Sequence, residues 1–469
     1  MLKSPIVVAA ALFISACTVG PNYQKPMLPS PPTFRAPEGT GVLDPTSLGD
    51  LKWWEVFKDE RLQELERTAL EQNYDLRDAA ARIEAASAQL GVTRSDQFPN
   101  VGASADISTI RFSRNGQTPL PASFVPSQNR TFGSATLNLL SFEVDIWGRL
   151  RRATEAARAN LLSAEENRKA VRTTLVSEVA SSYFTLRELD YQLDISRRTL
   201  GTRQESLDLI KNRQAGGVAT LLDLRQSEQL VYSAAATIPI LQENIEQTEN
   251  QISLLLGKNP GDVLRGRSLT EQDLLPEVPP GLPSALLTRR PDILAAEQNL
   301  IAANAEIGVA KAAYFPQISL SGFLGGQGTQ LSGLFSGPSA VWNFTPQVTQ
   351  PIFTAGRIKS EVRLTQAQRD SALIQYEKAI QTAFTEVSDA LIAHQRTRES
   401  RVQQELLVAA LQDRTRLAYV RYLGGVDTLL NALDSDRDLF QAELLLSQVR
   451  LSELNSVVQL YKALGGGWQ

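Results

Sequence analysis

The chain has 469 residues, of which 47 are basic and 51 acidic, giving a net charge of −4 with 42 % hydrophobic content. Charges of both signs alternate along it, so no basic tract offers itself to nucleic acid. A single histidine, His394, leaves almost no material for a histidine metal cluster or a catalytic triad, and one cysteine, Cys17, excludes a disulfide within the chain. Neither GxGxxG nor GxxxxGKS/T occurs. The reading is therefore of a non-enzyme with no cofactor and no metal site, and of His394 as a solvated or packed side chain.

Lys3 and the apolar run 6–14 form a processing signal too short to span a bilayer. It ends in Phe13-Ile14-Ser15-Ala16-Cys17, the form of a bacterial lipobox. The expectation is removal of residues 1–16 and acylation of Cys17, which anchors a protein without a transmembrane helix. Thr18, where an aspartate would favour retention at the inner membrane, favours the outer membrane. The alternative is a cleaved signal followed by an incidental cysteine. Residues 17–52 carry many prolines (Pro21, Pro26, Pro29, Pro31, Pro32, Pro37) and read as an extended arm.

Residues 53–274 read as a first structural repeat. Leu62, Leu65, Ala69, Leu76, Ala80 and Ile83 recur every three or four residues, predicting one helix over 62–91 that Phe98-Pro99 closes. Alternating apolar residues predict strands over 100–112 and 132–147. The phase slips at Leu139-Leu140, the mark of a β-bulge. From Arg149 to Arg213 there is no proline and one glycine, predicting a helix over 149–213 of about 97 Å. Gly216-Gly217 reverse the chain, and a return helix follows over 219–256, where Pro239 is expected to cause a kink. Residues 275–291 are a linker. The second repeat, 292–469, has strands over about 317–326 and 342–352. Its helices cover 357–421 and 427–464, with Gly424-Gly425 between them.

The two repeats share residues in register. Asp75, Gly91 and Phe98-Pro99 match Asp292, Gly308 and Phe315-Pro316 at an offset of 217. Gly148-Arg149, Glu178-Val179 and Gly217-Val218 match Gly356-Arg357, Glu386-Val387 and Gly425-Val426 at an offset of 208. The offset changes within the hairpin tip, where loops tolerate length variation. A unit this long is not a solenoid repeat; it is half of one pseudo-symmetric architecture. Four strands of 10–15 residues suit a bilayer but cannot close, and an open edge in lipid leaves backbone groups unpaired. An outer-membrane protein of this kind has to share a barrel among several copies.

An ordered set of segments resembles the TolC-like outer-membrane efflux channel family, in its OprM-type or NodT-type lipoprotein branch. The segments are Cys17-Thr18-Val19-Gly20-Pro21-Asn22-Tyr23, Trp53-Trp54, Glu143-Val144-Asp145-Ile146-Trp147-Gly148-Arg149, Leu286-Leu287-Thr288-Arg289-Arg290-Pro291-Asp292-Ile293, Pro351-Ile352-Phe353-Thr354-Ala355-Gly356 and Tyr461-Lys462-Ala463-Leu464-Gly465-Gly466-Gly467-Trp468. They cover essentially the whole mature chain. The resemblance implies a mainly α fold with membrane β, a duplicated αββα(α) protomer. It further implies a homotrimer with a 12-stranded β-barrel in the outer-membrane lipid and a 12-helix α-barrel tunnel in the periplasm. Its implied partners are a periplasmic adaptor (membrane fusion) protein and an inner-membrane transporter, and its implied function is the exit duct of a tripartite pump for drugs and other small molecules.

The resemblance also assigns roles by position. Arg213, Gly217, Val218 and Leu221, with Arg421, Gly425, Val426 and Leu429, match adaptor-contacting tip turns, although the glycines also simply reverse the chain. Leu430 and Asp434, with Arg437 nearby, match a periplasmic aperture of apolar and acidic rings; a ring of carboxylates attracts cations and repels anions. The first repeat has Leu222, Gln226 and Gln229 at the same places. The alternative for these residues is a solvated helix face with an Asp–Arg pair. Two other functions stay open: a channel for type I protein secretion, and a lipid-anchored coiled-coil spacer without a pore. The spacer does not explain the paired amphipathic strands.

Overall fold

The computed structural model describes residues 18–27, 31–36, 47–111, 129–272 and 281–467. Cys17 and its signal, the first hairpin tip and the start of the linker, 275–280, lie outside these residues. The chain divides into two compact units. The first comprises the arm through Pro26, Ile83–Ala164 and Ala296–Tyr376; the second comprises Met27–Arg82, Glu165–Ala295 and Glu377–Gln469.

In chain order the elements are α1 (Trp53–Val56), α2 (Glu60–Gln72), α3 (Tyr74–Ser95), β1 (Val101–Arg111), β2 (Asn129–Glu143), α4 (Arg149–Ala215) and α5 (Leu221–Leu255). Then come α6 (Pro283–Arg289), α7 (Pro291–Ala312), β3 (Gln317–Gly328), β4 (Ala340–Thr349), α8 (Arg357–Leu423) and α9 (Leu429–Ala463). Both α4 and α8 have 67 residues, and both α5 and α9 have 35. The single helix expected over 62–91 is two helices. Asn73 separates them: its side-chain carbonyl accepts from Leu76 N–H at 3.0 Å and its amide donates to Leu255 O at 2.9 Å. An asparagine that caps the next helix stops the previous one. α5 continues through Pro239 as one helix.

The first unit holds a four-stranded antiparallel sheet in the order β1-β2-β3-β4. Its register gives it two distinct faces. Val101, Ala103 and Ile107 of β1 share a face with Leu137 and Leu139 of β2, Leu320 and Leu324 of β3, and Trp342, Phe344 and Val348 of β4. Ser104 and Asp106, Ser134 and Asn138, Ser321 and Gln327, Asn343 and Gln347 lie on the other. The apolar face is uncovered in the single chain: Ile107 is 75 % and Trp342 77 % exposed. On the polar face, Asn138 donates to Ser104 Oγ at 2.9 Å. The pairing of β2 with β3 shifts between Leu139 and Phe142, which locates the bulge.

β2 ends at Glu143, short of the expected Trp147. Val144 N–H still bonds Ile318 O at 2.9 Å, but Asp145 then accepts from Arg151 N–H at 2.9 Å, turning the chain into α4. Glu143 receives both Nε and Nη2 of Arg149, at 2.9 and 2.7 Å. The acids at and just beyond the strand end thus serve the helix start, where negative charge is favoured.

The arm is laced to this unit. Val19 N–H donates to Trp147 O at 2.9 Å, and Gly20 packs so close to Gly308 that a methyl on Gly20 would overlap the Gly308 Cα. Asn304 donates to Pro21 O (3.0 Å), Arg152 to Asn22 (2.6 Å), and Tyr23 and Lys25 to Glu297 (3.1 and 2.7 Å). Trp147 stacks on Phe315 with ring centroids 4.7 Å apart.

The second unit carries a large apolar core that includes Trp53, Leu62, Tyr183, Leu186, Ile252, Leu286, Leu460 and Tyr461. Asp59 organises the entry to α2. It accepts from Arg61 N–H, Tyr183 OH, Arg267 N–H and Gln272 Nε2, each at 2.9 Å. Burial pushes its carboxyl up, but these hydrogen bonds outweigh burial and hold it below the usual range. His394 is buried, its Nδ1 3.0 Å from Ser456 Oγ.

Candidate functional site: the helix reversals and the aperture residues

Both reversals have the same hydrogen-bond pattern. Val218 N–H bonds Arg213 O at 2.8 Å and Gly217 N–H bonds Gln214 O at 3.0 Å. In the second copy Val426 N–H bonds Arg421 O at 3.1 Å and Gly425 N–H bonds Tyr422 O at 3.0 Å. This is the Schellman arrangement, which needs a residue in the left-handed region. Gly217 and Gly425 supply it with φ of +73° and +74°.

The side chains around the two reversals differ. Arg421 Nε donates to Asp427 at 3.1 Å, and Asn431 and Thr428 N–H also donate to that carboxylate. These bonds, Asn431's first, hold the Asp427 carboxyl below the usual range. Position 219 of the first copy has alanine instead, and Arg213 lies over the Tyr422 ring at 5.2 Å. Val218, Leu221 and Val426 are well exposed. Leu429 departs from its counterpart: Leu221 is 58 % exposed, whereas Leu429 is 4 % exposed and packs with Ile210 and Leu433. In the single chain Leu429 belongs to the core and presents no surface.

The aperture candidates sit together on α9. Leu430 is exposed, and Asp434 pairs with Arg437 at 3.1 Å, one turn along the helix. Arg437 also reaches Asp438 at 3.1 Å, which Arg414 of α8 holds at 3.0 Å. Both acid–base partners of the Asp434 pair are substantially exposed.

A buried pair beside them was not anticipated. Arg203 of α4 donates to Asp436 of α9 at 2.6 Å and to Leu230 O at 3.0 Å, and lies over the Phe440 ring at 4.9 Å. Comparing the copies could have found it: at the 208 offset, Leu411 stands where the first copy has Arg203. A charge inside an apolar stripe requires a partner.

Among the described residues no helix is long and apolar enough to cross a membrane, and no group of three acidic, histidine or cysteine side chains could hold a metal. The membrane-compatible element is the two-faced sheet, with strands of 11, 15, 12 and 10 residues against the roughly 9–11 that span a bilayer. That sheet, joined to two pairs of very long helices, defines a TolC-like outer-membrane channel subunit.

Comparison with known proteins agrees. The outer membrane efflux protein family matches the chain twice, over residues 65–258 and 282–466. The probable efflux pump outer membrane protein TtgC of Pseudomonas putida is 40 % identical, the match covering 100 % of this chain and 96 % of the relative. Outer membrane protein OprJ of Pseudomonas aeruginosa is 36 % identical over 98 % of this chain and 94 % of its own. Among solved structures, the open state of the Neisseria gonorrhoeae MtrE outer membrane channel superposes with a TM-score of 0.86 at 32 % identity, covering 97 % of this chain and 99 % of that one. The outer-membrane channel OprN superposes with a TM-score of 0.88 at 31 % identity, covering 96 % and 100 %. The chain belongs to the outer membrane efflux protein family. It is an outer-membrane efflux channel, and its relatives are channel proteins of efflux pumps.

Proposed function

We propose that three copies of this chain assemble into one channel, the exit duct of a tripartite pump completed by a periplasmic adaptor and an inner-membrane transporter. The observation that carries this reading is the sheet. It has an exposed apolar face, a polar face and two unpaired edges, β1 and β4. Pairing β1 of one copy with β4 of the next satisfies both edges and closes twelve strands around a polar interior. Acylation of Cys17 belongs to the same reading. Support comes from the arm that follows it, which holds Val19 against Trp147 where β2 gives way to α4. Exposed Val218, Leu221 and Val426 support an adaptor contact at the reversals. Relatives that are 40 % identical are named for antibiotic and for toluene efflux, which supports drugs and apolar solvents as cargo. The chain adds no chemistry of its own; the free energy comes from the inner-membrane partner.

The test is planar-bilayer recording on purified protein, with mass photometry of the same sample. A trimer with discrete single-channel steps is the expected outcome. A monomer, or a trimer without conductance, overturns the reading.

A further inference from the structure

The second unit contains a cleft of about 510 Å³ between α4 on one side and α8 and α9 on the other. That volume lies within the roughly 300–1,000 Å³ typical of small-molecule sites. Its floor is apolar, with Ile210, Leu429 and Leu433 forming one buried cluster and Phe440 beside them. Tyr419 and Tyr422 form part of the wall.

The charges around the cleft cancel except for one. Arg198 holds Glu443 at 2.9 Å, and Arg203 holds Asp436 at 2.6 Å. Glu205 also lines the cleft, is exposed, and has no ion pair or hydrogen bond among the described residues. Two of the lining rings already attract cations, since Arg203 lies over Phe440 at 4.9 Å and Arg213 over Tyr422 at 5.2 Å. Ring quadrupoles and one uncompensated carboxylate act in the same direction. An anion entering here meets Glu205 and finds both nearby arginines already paired.

We propose that this cleft binds a hydrophobic organic cation, its apolar body against Ile210, Leu433 and Phe440 and its charge beside Glu205. The bound molecule touches α4 on one side and α8 and α9 on the other, bridging the two helical hairpins. Leu423, the residue before Gly424-Gly425, lines the same cleft. The site therefore acts on the hairpin whose return helix carries Leu430 and Asp434. It is independent of which molecules the channel exports.

Tetraphenylphosphonium and tetraphenylborate have the same shape and opposite charge, so the pair isolates the charge preference. Calorimetric titration of the purified full-length protein, corrected against detergent alone, is expected to give one tetraphenylphosphonium per chain. The cation is expected to bind at least about tenfold more tightly than the anion. Glu205→Gln removes most of that preference. Thr202→Trp fills the cleft mouth from an exposed helical position and abolishes binding while the helical circular dichroism is unchanged. Equal affinity for both ions, or cation binding unchanged in both variants, overturns the proposal. Absence of cation binding to the assembled protein also overturns it, as follows if a neighbouring copy of the chain covers the cleft.

Discussion

Glu66 and Arg203 are both buried and solve the problem of buried charge differently. Arg203 is paired, hydrogen-bonded and stacked. Glu66 is fully buried, and neither of its carboxylate oxygens has a hydrogen-bond partner. Burial pushes its carboxyl well above the ordinary value of 4.5. The folded state therefore keeps a proton that the unfolded state has lost, so Glu66 lowers stability progressively as the pH rises from about the ordinary glutamate range through the raised value. Glu66→Met removes the polar group while keeping its volume. It is expected to stabilise the protein by about 1–3 kcal/mol at pH 7.5, with the gain shrinking towards pH 4. Denaturant unfolding of both proteins across that range checks it, and a destabilised Glu66→Met at pH 7.5 contradicts it. The stripe read from the sequence, Leu62, Leu65 and Ala69, did not include Glu66, although it lies one turn from Leu62. That the stripe faces a closed core is a tertiary fact, which periodicity alone does not give.

The helix ends were the most legible elements because they are written in glycine. The expected end of the first long helix, 213, lies two residues from Ala215, and the doublets Gly216-Gly217 and Gly424-Gly425 form the reversals. The strand phase slip at Leu139-Leu140 likewise became a register shift. Asn73 was missed because an N-cap asparagine sits inside an otherwise unbroken apolar stripe. The contacts between helices, Arg203 with Asp436 and Arg213 with Tyr422, depend on which helices become neighbours, so no local pattern announces them. The reversals also allow the two roles of their glycines to be separated. A methyl at Gly217 or Gly425 meets no atom within 4 Å, so substitution costs backbone strain and no clash. Gly217→Ala and Gly425→Ala are each expected to cost about 1 kcal/mol and leave trimer and conductance intact. If the bare backbone meets an adaptor, both lower drug resistance in cells. Resistance equal to that of the unaltered protein reduces the glycines to chain reversal.

For the whole molecule, the departures from repeat symmetry matter more than the symmetry. α4 and α8 are equal in length, as are α5 and α9, yet only the second copy carries the exposed Asp434–Arg437 pair where the first has Gln226 and Gln229. In a threefold assembly one acid per chain becomes a ring of three. Asp434→Ala removes that ring and is expected to raise closed-state conductance and weaken cation selectivity in planar bilayers. Unchanged values for both assign Asp434 to the solvated helix face.

The lacing of the arm has a consequence for the order of events during synthesis. Asn22 is held by Arg152, but Pro21 and Gly20 meet Asn304 and Gly308, and Tyr23 and Lys25 meet Glu297. The arm's seat is therefore begun by Trp147 and Arg152 of the first repeat and completed only when α7 has been made. A chain stalled before α7 holds its arm by Val19 and Asn22 alone, and only a chain carrying both repeats can fasten Pro21, Tyr23 and Lys25.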